Sequence, residues 1–387
     1  MTIIRNVHLI LNDGRADSRL LRETKAIAGE LNETEGVEIF AATRGPANLE
    51  QIEPRIWLRQ IPLKPGQGRG AKFKTAFNLL LWYISALRHA LRIGRIVLNV
   101  HHAELLPIAL TIRLLNGSAI VYVPHELESE RAGQRRSKSR AIARIERFAW
   151  QRLEGTAVVN ESIADEYLAL FGGPRPTVIE NVQASSVFEG RPKDLHNLAN
   201  IDRKHKICIY VGALVPNRGL EQLIEWFSSM DQNELALVCM GRGIMESEIQ
   251  LAAAESKCIH LLPPVPPEEV ASYVAGADIS AVLIDAVSKN NSLSLPNKFF
   301  ESVAGGTRVV ATPLVELRRF VEAYSVGSCL SESSSKAFVE ACRSAMALPR
   351  DEFEAGRRRL FIEHGWPVQR EKVLSLFREA SKKIGKL

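Results

Sequence analysis

The stretch NNSLSLPNKFFESVAGGTRVVATP, residues 290–313, decides how the chain is read. Pro296 suits a first helical turn, and Gly305 and Gly306 suit a helix stop. The β-branched run RVVAT that follows reads as a buried strand. A short helix that feeds a strand is a repeating unit of a parallel α/β sheet. Phe299, Phe300 and Val303 recur at helical spacing and face a core. Asn297 and Glu301 stand four residues apart and Lys298 and Glu301 three apart, so they neighbour one another on a second face. A helix start offers free N–H groups and a partial positive charge, which favour an anion, and Lys298 adds a full charge there. A solvated Lys–Glu pair accounts for the same residues.

Outward from this stretch, strand-like and helix-like patterns alternate along the whole chain. VHLIL, VEIFAAT, RIVLNV, AIVYVPH and TAVVN are the strand candidates of the first half, and KICIYVG, LALVCMG, IHLLP, ISAVLI and RVVAT those of the second. Apolar strands that alternate with helices predict parallel sheets covered on both faces. The polar stretch GRPKDLHNLANIDRKHK, residues 190–206, interrupts the alternation and reads as a linker. The fold class is α/β, with two doubly wound domains whose sites lie at the carboxyl ends of the strands, facing a cleft. The expected division is 1–190, a linker 191–206, 207–360, and a C-terminal helix 361–387 that returns to the first domain.

Composition agrees. A chain of 387 residues, 46% of them hydrophobic, suits two globular domains. The net charge of +6 fits an anionic ligand, an acidic membrane surface or nucleic acid. With 6% aromatic residues and no stacking or helix-turn-helix motif, nucleic acid is disfavoured. No run reaches the ~18 apolar residues of a membrane span, and the N-terminal MTIIRNVHLILNDGR has no small-residue cleavage site. A cytoplasmic protein is expected, with attachment at the inner face of a membrane left open. Cys208, Cys239, Cys258, Cys329 and Cys342 form no CxxC pair and read as buried free thiols in a reducing compartment.

Two further elements of the second half carry chemistry. In ICIYVGALVPNRGLEQLIEW a strand ends at Gly212, where a ligand can approach the backbone, and Arg218 stands where a helix begins. CMGRGIMESEI repeats the strand–Gly–helix pattern, though GRG falls short of GxGxxG. YVGALVPNRGLEQLIE, VCMGRGIMESEI and SLPNKFFESVAGGTRVVAT, in this order and with AGADISAVLI before the third, resemble the donor half of retaining GT-B glycosyltransferases. These are the large nucleotide-sugar-dependent family of group 1, or family 4-like, enzymes. The resemblance implies two Rossmann-like domains and no bound metal or cofactor beyond the nucleotide diphosphate sugar. It implies that Glu301 binds the ribose, that Arg218 and Lys298 neutralise the diphosphate, and that the loop PPVPPE, with Pro264 and Val265, borders the base. It implies as well that Gly212 lies against the donor and that N–H groups from Ser294 through Leu295 to Asn297 hold the sugar. Two positions depart from the family pattern: Leu293 replaces the first member of a Glu-x7-Glu pair, and Ala213 replaces an Arg.

The first half reads as the acceptor end. LILNDGRADSRLLRETKAIAGEL crowds Asp13, Arg15 and Arg19 at a strand end, with Asp17 or Ser18 as helix cap. A solvated cap with salt bridges is the simpler reading, while many family relatives carry a similar D-x-R-x-x-S-R loop facing the cleft. VYVPHELESE ends a buried strand at His125 and Glu126. A structural histidine is common there, but the resemblance implies a catalytic role for His125 at a sugar hydroxyl, together with Arg218 and Lys298 at the leaving group. His102 and Glu126 join Asp13, Arg15 and Arg19 as acceptor contacts. His101, His102, Glu104 and His125 can be grouped as a metal cluster, but no HxxxH spacing supports one. The basic run of residues 131–147 is either a solvated helix face or a contact for anionic lipid or a polyprenyl-diphosphate acceptor. Residues 73–95 are apolar enough to help at a membrane surface, and are read first as a helix packed in the core of the first domain.

The expected activity is sugar transfer from a nucleotide diphosphate sugar to a saccharide or lipid-linked acceptor, with retention, in the formation of surface polysaccharide or glycolipid. A nucleotide-sugar 2-epimerase and a non-catalytic nucleotide-sugar-binding partner subunit are the alternatives.

Overall fold

A computed structural model describes residues 3–15, 17–64, 71–182, 188–229 and 234–385. The chain divides into two compact units, Met1–Glu180 with Gln369–Leu387, and Asn181–Val368. The first holds strands β1 (Ile3–Ile10), β2 (Glu35–Thr43), β3 (Asn48–Glu53), β4 (Ile56–Pro62), β5 (Val97–Val100), β6 (Ala119–Tyr122), β7 (Gly155–Val158) and β8 (Thr177–Val178). They form one sheet in the order β3-β4-β2-β1-β5-β6-β7-β8. Val7, Leu9, Ile39, Leu98 and Ile120 are almost fully buried, as strands covered on both faces require.

The sheet departs from the all-parallel expectation at one edge. β3 pairs antiparallel with β4, through a turn in which Arg55 takes the left-handed region at φ 63°. Asn48–Glu53 is polar and lies at the sheet edge, so its sequence carries no buried-strand signal. Between β1 and β5 the order of the sheet reverses, which is where doubly wound sheets open a crevice for ligands.

The second unit holds β9 (Lys206–Val211), β10 (Leu235–Met240), β11 (Ile259–Leu262), β12 (Ile279–Val282), β13 (Arg308–Ala311) and β14 (Gly327–Cys329). All pair in parallel, in the order β11-β10-β9-β12-β13-β14, and the order reverses between β9 and β12. Residues 190–206, expected as a linker, belong to this unit. The helix Leu195–Ala199 buries Leu195, and Ile201 packs into the same cluster as Ile207 and Ile209. The polar residues of that stretch mask two apolar anchors. All five cysteines are free, and four are buried.

From Gln369 onward the helix Trp366–Lys383 packs within the first unit. The Gln369 amide accepts from the Glu180 N–H (3.0 Å) and donates to its carboxylate (2.7 Å), and Arg378 pairs with Glu30 at 2.6 Å.

Candidate functional site

In the second unit all strands run parallel, so the loops leaving β9, β10, β11 and β12 emerge at one edge. At the β9–β12 reversal, Arg218 comes from the first of these loops and Lys298 from the helix Asn297–Gly305 that follows β12. Arg218 is exposed. Lys298 is buried: its Nζ donates to the Leu283 carbonyl (3.1 Å) and lies 4.1 Å from the centre of the Tyr210 ring. Burial, and then repulsion from Arg218, pull its pKa down to about 7, against the attraction of Asp285 and Glu301. Two cations thus stand close enough to repel each other, beside a helix start whose cap, Pro296, offers no side-chain bond. That arrangement stores a demand for an anion.

Two glycines set this geometry. Gly219 has φ +75°, and a Cβ there would fall 2.2 Å from the Leu283 Cβ, so only glycine lets the β9 loop close on the end of β12. A Cβ at Gly241 would fall 1.8 Å from the Gly212 carbonyl oxygen, so the GRG turn after β10 serves loop packing. Gly212 itself follows the last residue of β9 and faces open space.

Of the other expected donor contacts, Asn297, Glu301 and Ser294 are half-buried on the same segment. The Ser294 N–H already donates to the Asn291 carbonyl (3.1 Å), and Pro296 has no N–H, which narrows the expected backbone cradle to Leu295 and Asn297. The Leu295 side chain is in the core with Phe299 and Phe300. Pro264 is exposed after β11, whereas Val265 turns toward the core cluster of Ile207 and Ile209. Leu293 caps the short helix Lys289–Ser292.

In the first unit, the loops after β1, β5 and β6 bring Asp17, His101, His102 and His125 together. Asp17 caps the helix Ser18–Glu30, accepting from the Leu20 N–H (3.1 Å), and its carboxylate lies 3.8 Å from His125 Nδ1. His125 Nε2 meets His101 Nδ1 at 3.0 Å, and His101 Nε2 meets His8 Nδ1 at 2.9 Å. Burial depresses the pKa of all three histidines, His8 to about 3, so the imidazoles are neutral.

Sequence reasoning missed His8, and it read Asp17 only as a cap. A histidine inside the apolar strand VHLIL was the available signal, since a buried polar side chain needs a partner.

The expected acceptor residues are placed unequally. Arg19 is 3% exposed and bonded to Glu23 at 2.7 Å, so it is structural and does not face solvent. Arg15 is exposed but bonds Glu50 (2.7 Å) and Gln60 (3.3 Å) of the β3–β4 hairpin. Asp13 is exposed in the same turn. Burial, then Arg131, pulls the His102 pKa down to about 4. Glu126 pairs with Arg131 at 3.1 Å.

Among the described residues, two groups stand close enough to share a metal ion: His8, Glu23 and His101, and His102, Glu104 and Glu128. Each carboxylate already has a cationic partner, Arg19, Lys138 and Arg131 respectively.

Residues 205–347 match the model of the family Glycosyl transferases group 1. A search of curated protein sequences returns no match. Among solved structures, sucrose-phosphate synthase (tll1590) from Thermosynechococcus elongatus superposes with a TM-score of 0.75 at 16% identity, over 97% of this chain and 98% of that one. HepE of Anabaena, solved in complex with UDP, gives 0.67 at 12% identity, over 99% and 100%. WaaG, a glycosyltransferase involved in lipopolysaccharide biosynthesis, gives 0.68 at 13% identity, over 96% and 99%. At these identities the likeness is one of fold: the chain has the GT-B fold that its motifs led one to expect.

Proposed function

We propose, from the match of residues 205–347 to the group 1 glycosyltransferase model, that the protein is a retaining, metal-independent glycosyltransferase. It moves a hexosyl or related group from a nucleotide diphosphate sugar to a saccharide or polyprenyl-diphosphate-linked acceptor, in the formation of surface polysaccharide or glycolipid. The observation that carries this reading is the pair Arg218 and Lys298 at the strand-order reversal, beside the start of the helix Asn297–Gly305. These groups hold the diphosphate and stabilise the charge it gains as the glycosidic bond breaks. Glu301 accepts from the ribose, and Pro264 borders the base. The acceptor hydroxyl attacks from the face that the diphosphate leaves and gives its proton to the departing phosphate oxygen. HepE, the fold relative solved with UDP, supports the choice of donor class.

A panel of UDP, GDP, ADP and their sugars, without metal, tests this by thermal shift on wild type and Glu301→Ala. A ligand at 100 times its Kd stabilises by roughly 2.7 kcal/mol. Selective stabilisation that Glu301→Ala abolishes is the expected result; no response to any of them would sink the donor site. Ala213 and Leu293, where the family pattern has charged residues, favour a second reading, a non-catalytic binder. That reading predicts nucleotide binding without transfer to any acceptor.

The partner surface also belongs to this proposal. No helix among the described residues is long and apolar enough to cross a membrane. The helix Ala71–Ile93 buries Trp82 and Ala86 on one side, yet leaves Phe73 77% exposed, along with Phe77 and Leu80. It packs on Leu106–Asn116, which in turn packs on the basic helix Arg136–Trp150, where Arg136, Arg140 and Arg144 are exposed. Exposed apolar side chains on one helix and exposed cations on another suit an anionic membrane surface. Co-sedimentation with vesicles should require anionic lipid, weaken with salt, and fall several-fold in Phe73→Ser/Phe77→Ser. Equal binding to neutral vesicles, or none, would remove the membrane from this reading.

A further inference from the structure

His8, His101 and His125 stand in one hydrogen-bonded row, and because each neutral ring has one donor and one acceptor the row must choose a direction. His8 lies inside β1, His101 follows β5 and His125 follows β6, so the row crosses the three strand ends next to the β1–β5 reversal. Only two directions satisfy both inner bonds. In one, every ring carries its proton on Nδ1: His8 donates to His101, His101 donates to His125, and the His125 Nδ1–H points at Asp17. In the other, every ring carries it on Nε2.

The ends of the row decide. His8 Nε2 is buried and has no partner. A proton there would be an orphaned buried donor, which folded proteins avoid more strictly than a bare acceptor lone pair. At the other end, a bare His125 Nδ1 would turn its lone pair on the Asp17 carboxylate 3.8 Å away. Both ends favour the first direction. The surrounding charges are Arg19 with Glu23 on the helix Ser18–Glu30, and His102 and Arg131 on the loops after β5 and β6.

We propose that His8 and His101 are positioning residues that fix the His125 ring with its proton on Nδ1, so that His125 and Asp17 together form a seat for one hydroxyl group. The gap of 3.8 Å is too long for a direct hydrogen bond. A hydroxyl placed there accepts from Nδ1–H and donates to the Asp17 carboxylate, which the Leu20 N–H already orients. Binding a sugar hydroxyl here rests on the transferase reading; the direction of the row does not.

Long-range proton–nitrogen NMR of the histidine rings tests the row in the wild-type protein, with His125 identified by its loss in His125→Gln. Free imidazole prefers the Nε2–H form, so an Nδ1–H signal for His8, His101 and His125, unchanged from pH 8 down to pH 5, is a distinctive expectation. A proton on His125 Nε2, or ordinary titration of that ring, overturns the proposal. In His101→Phe the His125 ring should lose its fixed tautomer, and transfer should fall at least tenfold in kcat with the donor KM unchanged. His101→Gln, which keeps one donor and one acceptor, should recover most of both. If His101→Phe leaves the His125 tautomer unchanged, the row is not what positions it. If no variant, wild type included, transfers sugar while the NMR holds, the transferase reading fails and the row stands.

Discussion

The two units share one reversal of strand order and surround it with different electrostatics. Both sheets reverse direction once, β1 against β5 and β9 against β12, and both gather polar residues at that point. In the second unit two cations crowd each other: Arg218 is exposed, Lys298 is buried against a carbonyl and a ring with Asp285 and Glu301 nearby, and a helix start lies beside them. In the first unit the charges are matched internally. Arg19 answers Glu23, Lys138 answers Glu104, Arg131 answers Glu126 and Glu128, and the histidines are neutral. On the proposed reading, the second unit takes the anionic diphosphate and the first a neutral, hydroxyl-bearing ligand. A common scaffold sets where a ligand binds, while the residual charge sets which kind.

The largest expected effect comes from crossing the two sites. Arg218→Ala removes a charged hydrogen-bond donor and should weaken nucleotide-sugar binding by about 2 kcal/mol, roughly thirty-fold in Kd. His125→Ala should leave that Kd within about twofold and abolish most of the transfer rate. Calorimetric titration of both variants with the same nucleotide sugar decides. If His125→Ala weakens donor binding as much as Arg218→Ala does, the division of labour between the units is wrong.

A smaller effect is linked to pH. Lys298 has a pKa of about 7 in the free protein because it is buried and repelled by Arg218. A bound diphosphate favours the charged form and raises that pKa. Below pH 7 the lysine is already protonated and affinity should be flat. Above pH 7 binding must take up a proton, so affinity should fall by up to about tenfold per unit until the pKa of the complex is reached. A nucleotide sugar is the right probe, since its diester phosphates do not titrate in this range. Calorimetry at pH 8.5 in buffers of differing ionisation enthalpy should show uptake approaching one proton, and close to none at pH 6. Lys298→Met should bind weakly at both pH values with no uptake. Affinity that rises with pH would place the charge elsewhere.

The second unit was more legible in the sequence than the first, for a physical reason. Its strands are near-continuous apolar runs, and its charged residues stand next to the Gly and Pro that punctuate them, so position singled out Arg218 and Lys298, while their proposed role at a diphosphate came from the family resemblance. What stayed hidden was the Lys298 environment, because Tyr210 and the Leu283 carbonyl come from other strands. In the first unit the β3–β4 hairpin was missed because its polar edge strand lacks a buried pattern. The histidine row was missed because its members lie far apart in sequence, and only the sheet order makes them neighbours. Arg19 illustrates the opposite error: a charge in an expected ligand loop turned inward to Glu23, four residues on along its own helix.

Arg15 is the most delicate test of the contrast. It was expected to reach the acceptor, and it is exposed, but its two bonds run to Glu50 and Gln60 on the hairpin. An exposed ion pair of this kind contributes about 0.2–1 kcal/mol. Arg15→Ala should therefore lower the stability of the protein by no more than that in urea unfolding, and should leave kcat and the acceptor KM within about twofold. A much larger rise in acceptor KM at unchanged stability would mean that Arg15 leaves the hairpin when acceptor binds. The first unit would then carry a cation of its own, and the acceptor would itself be anionic at that end. The neutral character assigned to this edge depends on Arg15 staying where the hairpin holds it.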